Sequence, residues 1–314
     1  MKFGLMIHHG PEMADRNMWD MTRAFGVAAE EAGFDSVWLA DHWFHGPPQN
    51  PPGWSPMLDV WVALSALAAV TERVQLGQLV LGTPYRNPAL TAKMATSLDV
   101  VSHGRSILGL GAGWHKVEYE MYGYRDWPDP PERLRMLREA VQITLALWQG
   151  REPVDFEGRY YNLKQAINHP PPVQRPHPPL MIGGSGEQVT LKMVARYADW
   201  ANCTGNPDAF RHKMDVLREH CATVGRDYGS IVKSWYGWSL IGRTEAEYEA
   251  KLAALGARRR AFHGVGGTPD QLIAGFRDLA AAGAEVCIVQ MNGEDDPDMV
   301  RFFGETVLPA LRGA

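Results

Sequence analysis

An aspartate and a histidine, Asp41-His42, directly follow Ser36-Val37-Trp38-Leu39-Ala40, a run of strand formers. A carboxylate beside an imidazole at a strand end suits proton transfer. Histidine changes charge near neutral pH, and loops held by rigid strands are where chemistry usually lies. The same pair also reads as a turn residue and its polar neighbour. Two glycine stretches stand at comparable points. Gly111-Ala112-Gly113-Trp114 would let backbone approach a flat ligand closely. Gly183-Gly184-Ser185-Gly186-Glu187 precedes a helical segment, where bare N–H groups suit a phosphate; a tight turn would need the same glycines. A metal centre at His8-His9 is not expected, since adjacent strand residues point to opposite faces and no His-x-His is present. Lys233 begins a strand rather than ending one, which argues against Schiff-base chemistry.

The elements that must position these residues alternate along the chain. Strand-like runs fall at 3–7, 36–40, 74–81, 106–110, 180–182, 199–202, 231–241 and 285–289. Amphipathic helical runs fall between them at 19–31, 57–70, 88–101, 133–148, 188–197 and 208–223, and a last one closes the chain at 298–311. Thr244 with Glu247, and Thr268-Pro269 with Gln271, carry helix-start signals. The strands show little polar alternation, as expected where both faces are buried. The fold expected is α/β, a single (β/α)8 TIM barrel over 1–314 with an insertion at 151–179 that contains a hairpin and a proline-rich crossing. In such a barrel the strand ends converge on one mouth, so His8-His9, Asp41-His42, 78–82, 111–114, 183–186, Cys203-Thr204, Trp238-Ser239 and 290–292 become one candidate site.

The 314 residues are 45% hydrophobic and 21% charged, which supports a large core. A formal charge of −5 gives no electrostatic footprint for nucleic acid. The basic run Arg258-Arg259-Arg260 reads as a solvated helix end. Three scattered cysteines, Cys203, Cys221 and Cys287, form no metal or redox spacing and fit a reducing compartment. The first strand begins almost at Met1, and the longest apolar stretch, 60–70, is too short to span a bilayer. The expected location is the cytoplasm, without membrane or nucleic-acid partners. Self-association into a homodimer stays open.

Ala40-Asp41-His42-Trp43, Arg73-Val74-Gln75-Leu76-Gly77 leading to Arg86-Asn87-Pro88, and Leu108 to Trp114 followed by Glu118-Tyr119 carry a resemblance. So do Gly183-Gly184-Ser185-Gly186, Ala198-Asp199 and Gly267-Thr268-Pro269. Together, in this order along the whole chain, they resemble the bacterial luciferase-like superfamily, and within it the branch that uses the deazaflavin coenzyme F420. The resemblance implies an oxidoreductase moving hydride between F420 and a small organic substrate; the alternative is an FMN-dependent monooxygenase. It further implies that Asp41 and His42 flank the deazaflavin ring, with His42 handling a proton. Leu79-Val80 would back the ring through a non-proline cis peptide, joined by Gly82. Ala112 and Gly113 would contact ring and ribityl chain, and Gly183, Gly184, Ser185, Gly186 and Glu187 would form the phosphate loop. The insertion would lie near the barrel mouth. One departure is a substrate clue: Trp114 stands where the sugar-phosphate dehydrogenases of this branch carry a glutamate. An aromatic mouth of Trp43, Trp54, Trp114 and Trp238 would suit a flat or apolar molecule.

Overall fold

The computed structural model describes residues 1–9, 17–45, 55–150, 153–255, 264–291 and 296–312. Among the described residues, eight strands build the barrel wall in chain order: β1 (Lys2–Met6), β2 (Ser36–Leu39), β3 (Gln75–Gln78), β4 (Ser106–Gly111), β5 (Leu180–Gly183), β6 (Trp200–Cys203), β7 (Val232–Ile241) and β8 (Val286–Met291). Each pairs in parallel with its neighbour, β8 returns to β1, and Leu180 opposite Leu108 closes the ring between β5 and β4. The expected barrel is present. A short strand, Gly264–Gly267, adds to the outer half of β7, an element the sequence reading did not contain.

The helices are α1 (Met18–Glu31), α2 (Val60–Val70), α3 (Pro88–Val101), α4 (Lys116–Met121), α5 (Pro130–Trp148), α6 (Thr190–Tyr197), α7 (Pro207–Val224), α8 (Glu245–Ala254), α9 (Pro269–Ala281), α10 (Pro297–Thr306) and α11 (Leu308–Arg312). Several start on one device. Asn87, Asp129 and Asn206 cap α3, α5 and α7 with a side-chain oxygen, and a proline follows at the first helical position. The capping oxygen takes up a bare N–H, and proline gives up no bond there. Helix α2 starts at Val60 under an Asp59 cap rather than at Met57. The closing helix is divided between α10 and α11.

Inside the barrel, Met6, Trp38, Ile107, Met181, Trp200, Val286 and Ile288 form the packed floor. Trp38 is fully buried, and Gly4 and Gly77 make room for it: a Cβ at either would come within 2.5 Å of the indole. The indole Nε1 donates to Ser36 Oγ at 2.8 Å, so the ring is fixed at both ends.

The insertion departs from expectation. Its hairpin, Val154–Glu157 against Asn162–Ala166, packs on α3 and α5 through Ala92, Ile143, Leu147 and Val154. Buried Glu139 of α5 accepts hydrogen bonds from the amides of Arg159, Tyr160 and Tyr161, pinning the turn to the barrel flank. The proline-rich crossing is held by Asp99 of α3, which accepts from Val173 and Gln174 N–H. The insertion's apolar strand face covers α3 and α5, and no described residue of 153–179 lines the cavity at the mouth.

His9 illustrates what burial does to a histidine in this fold. It lies 2% exposed, and Nε2 donates to Thr22 Oγ1, which passes its own hydrogen to Met18 O. Burial, and then the neighbouring His8, lower its pKa to about 4. Above the unfolded value of 6.5 both states are neutral and folding loses nothing. As pH falls from there toward 4, the unfolded chain takes a proton that the native state refuses. Stability then drops by up to ~1.4 kcal/mol per pH unit. His9→Gln is expected to remove this dependence; urea midpoints at neutral and mildly acidic pH check it, and equal slopes in both proteins would contradict it.

Candidate active site

A cavity of about 370 Å³ opens at the C-terminal ends of the strands. Asp41, His42, Leu79, Val80, Gly82, Ala112, Gly113, Gly183 and Gly184 all line it, as expected. Ser185, Gly186 and Glu187 do not. A larger hollow of about 760 Å³ lies at the other end, among Lys2, Asp35, Glu285 and Arg312. Those residues flank the strand starts, the end of a barrel that serves stability rather than chemistry.

The peptide between Leu79 and Val80 is cis, as the resemblance implied. Val80 projects toward β4 and β5, where a Cβ at Gly111 would meet its Cγ2 at 2.5 Å and one at Gly183 its Cγ1 at 2.8 Å. Glycine on both neighbouring strands is therefore what allows an apolar wall in the mouth.

Asp41 is not free to shuttle protons. Both its oxygens accept from Arg86 Nη1, at 2.7 and 2.8 Å, and Oδ2 also accepts the Gly82 N–H at 3.0 Å. Burial raises its carboxyl, and the Arg86 guanidinium works against that. Asp41 thus ties the end of β2 to the loop after β3, and the second nitrogen of Arg86 reaches Asp59 at 3.2 Å.

His42 has a different partner, one that sequence reasoning missed. Its Nδ1 stands 2.9 Å from Glu118 Oε2, on α4, a helix not anticipated from the sequence. Glu118 is fully buried, and its Oε1 accepts the Trp43 and Phe44 N–H groups at 2.8 and 3.1 Å. The Tyr85 hydroxyl donates to Oε2 at 2.9 Å. Burial works to raise the Glu118 carboxyl, but the bond and charge of His42, with the donors around it, bring it below its ordinary value. Burial and the Glu118 charge push the Tyr85 phenol up, so it stays a donor. An ionised carboxylate can only accept, so His42 carries hydrogen on Nδ1 and donates it to Glu118. A buried carboxylate bonded to one ring nitrogen sets the orientation and tautomer of an imidazole.

His115 Nδ1 lies 3.2 Å from the same Glu118 oxygen. The ligand atoms of His42, His115 and Glu118 fall within 4.8 Å of one another, a spacing a cation could use. Both Glu118 oxygens already accept hydrogen bonds, Oε1 from the Trp43 amide and Oε2 from His42 and Tyr85. Asn202 and Tyr236 line the cavity, and burial pushes the Tyr236 phenol up to about 12.

Of the expected aromatic mouth, Trp114 lines the cavity and is 63% exposed. Trp43 stacks instead among Tyr85, Tyr122 and Tyr124, and Trp238 lies outside the lining. Trp54, Arg258-Arg259-Arg260 and Asn292 lie outside the described residues.

The glycine loop after β5 leads into α6, which begins at Thr190 rather than Gln188 and has no side-chain cap. Gly184 adopts φ +119°, and a Cβ there would touch Thr190 Cγ2 at 3.4 Å. The Glu187 carboxylate turns away to His212 and Lys213 of α7.

Fold and mouth define a class: a (β/α)8 barrel with a histidine–carboxylate dyad at its strand ends. The chain belongs to the luciferase-like monooxygenase family, whose model matches residues 1–286. It is 31% identical over 322 aligned residues to an F420-dependent glucose-6-phosphate dehydrogenase of Microbacterium testaceum, covering 92% of each chain. Its counterpart in Amycolatopsis mediterranei is 30% identical over 320, covering 92% of this chain and 93% of the relative. Among solved structures, an F420-dependent secondary alcohol dehydrogenase with an F420-acetone adduct superposes with a TM-score of 0.82 at 21% identity, over 99% of both chains. A monooxygenase from Streptomyces bottropensis superposes at 0.84 with 20% identity, over 99% of this chain and all of that one. At such identities these two speak for the fold. No described helix is long and apolar enough to cross a membrane.

Proposed function

We infer that the chain is an F420-dependent oxidoreductase acting on a small organic substrate. The observation that carries this is the His42–Glu118 dyad in a cavity walled by Val80, in a chain so similar to F420-dependent dehydrogenases over most of its length. The bound deazaflavin supplies a hydride acceptor or donor. Val80 and the backbone of Leu79, Gly82, Ala112 and Gly113 would hold its ring, and Gly183 and Gly184 would lead its phosphate to the N–H groups before α6. Ser185, Gly186 and Glu187 contribute backbone rather than side chains. His42 Nε2 takes or gives the proton that accompanies hydride transfer, Glu118 fixes the tautomer, and Asp41 anchors the loops that carry them.

For the substrate, the reading is a flat or apolar molecule in place of a sugar phosphate. Trp114 presents an exposed indole to the cavity, and no lysine or arginine among the described residues lines it. A phosphate there would lack a charged partner.

The deciding experiment is calorimetric titration with F420 and, separately, FMN. Tighter F420 binding is expected; micromolar FMN binding with no F420 signal would shift the assignment to a flavin monooxygenase.

The loop has its own test. Gly184→Val forces a branched side chain into a conformation that L residues rarely adopt. The loop should shift and F420 affinity fall by about tenfold, or ~1.4 kcal/mol. The phosphate-free deazaflavin should bind as before. Equal weakening of both ligands would remove the phosphate role.

A further inference from the structure

The segment that brings Glu118 to His42 also presents an apolar surface to solvent. Trp114, just before α4, is 63% exposed, and Met121 at the end of that helix is 50% exposed. Tyr122 and Tyr124 follow at 58% and 41%. Single exposed apolar side chains are ordinary, but four this large between 114 and 124 form a patch. The patch is rigid. The Trp43 ring lies 4.7 Å from that of Tyr85 and 4.1 Å from that of Tyr122. Tyr124 packs on Tyr119 at 4.7 Å and donates its hydroxyl to Tyr85 O. Gly123, at φ +83°, makes the turn between the two exposed tyrosines. Trp114 stacks on His115 at 4.8 Å.

This surface continues the active site outward. Trp114, His42 and Tyr85 line the cavity, and Trp43, next to His42 in the chain, packs on Tyr122. Charge and space say what covers it. Lys116 pairs with Glu120 at 3.2 Å, and Arg125 is followed by Asp126, so the exposed charges of the segment cancel and offer nothing to an ion. The cavity itself, at about 370 Å³, is near the lower end of the range for ligand pockets, ~300–1,000 Å³. The three-ring head of the coenzyme would take most of it. Only the reacting end of a larger substrate would find room beside it.

We propose that the substrate is elongated and apolar, with its reacting group at His42 and its body outside the cavity, across Trp114, Met121 and Tyr122; this rests on the F420 reading above. Rigid aromatic rings give contact area at little cost in side-chain entropy. The length of the apolar body then selects the substrate, and a short polar alcohol gains nothing from the surface.

The test is calorimetry on the full chain saturated with oxidised F420 and titrated with methyl ketones from acetone to nonanone. Their carbonyl suits a hydride at carbon and the His42 proton at oxygen, and the oxidised coenzyme keeps the complexes from reacting. Affinity should rise about twofold with each methylene that reaches the surface, half the free energy of full burial because one side of the tail stays in water. In the double variant Met121→Ser, Tyr122→Ser every ketone should bind at the acetone affinity, with the melting temperature kept. Met121→Leu with Tyr122→Phe should preserve the rise. Affinity independent of length in the natural protein, or no ketone binding at all, overturns the proposal and leaves the F420 reading standing. So does a rise that persists in the serine variant, which would place the tail elsewhere. A particle mass that falls in the serine variant, read by light scattering, would make the surface a face between two copies of the chain and overturn the assignment. Failure of F420 itself to bind ends both readings.

Discussion

His42→Ala is expected to lower turnover by about 10²–10⁴-fold, the range for a positioned proton donor or acceptor. The fold and coenzyme binding should survive. The ring lines the cavity, and its side chain is 15% exposed. Beyond Glu118 it touches the rings of Trp114 and His115 edge-on at 5.4 and 5.7 Å, contacts that contribute little to stability. The loss should therefore fall on the chemical step. Single-turnover measurement of deazaflavin absorbance separates that step from product release, and added imidazole should restore part of the rate. Unchanged turnover would leave His42 as no more than the polar neighbour of a turn.

The asymmetry between His42 and Asp41 shows what the sequence could and could not convey. Strand periodicity, caps and proline positions are local signals, and they placed eight strands and brought Asp41, His42, Leu79, Val80, Ala112, Gly113 and Gly184 to one cavity. The partner of each ionisable group is a long-range fact. Asp41 and Arg86 are 45 residues apart, and His42 and Glu118 are 76 apart. Adjacency marked Asp41 and His42 as a pair but named no partner for either; the fold gives Asp41 to Arg86 and brings Glu118 to His42 from a short helix too weakly patterned to be anticipated. A glutamate between valine and tyrosine, just after a glycine loop, was the available signal. The insertion failed for a similar reason. Its alternating residues announce a hairpin, but they do not say which surface its apolar face will cover.

Glu118 is the position at which the dyad can be tested without touching the ring. In Glu118→Gln the side-chain oxygen should stay with the Trp43 and Phe44 N–H groups, since turning the amide toward them would face donor with donor. Its NH₂ must then point at His42 Nδ1 and the Tyr85 hydroxyl. His42 would have to accept at Nδ1 and move its hydrogen to Nε2, the wrong tautomer for taking a proton. Turnover should fall by roughly 10–10²-fold, as for other residues that orient an imidazole, and toward ~10⁴ where the tautomer is decisive. KM should change little. Imidazole nitrogen NMR reads the tautomer directly, a signal that a merely structural glutamate would not move. Glu118→Ala is a harsher change: it leaves the Trp43 and Phe44 amides without their acceptor, and should cost ~3–5 kcal/mol, as removing one side of a buried charged network does. The decisive comparison is the double variant. If Glu118 acts through His42, adding Glu118→Gln to His42→Ala should lower the rate little further, because the two residues work as a unit. Multiplicative losses would mean that Glu118 influences the cavity by another route.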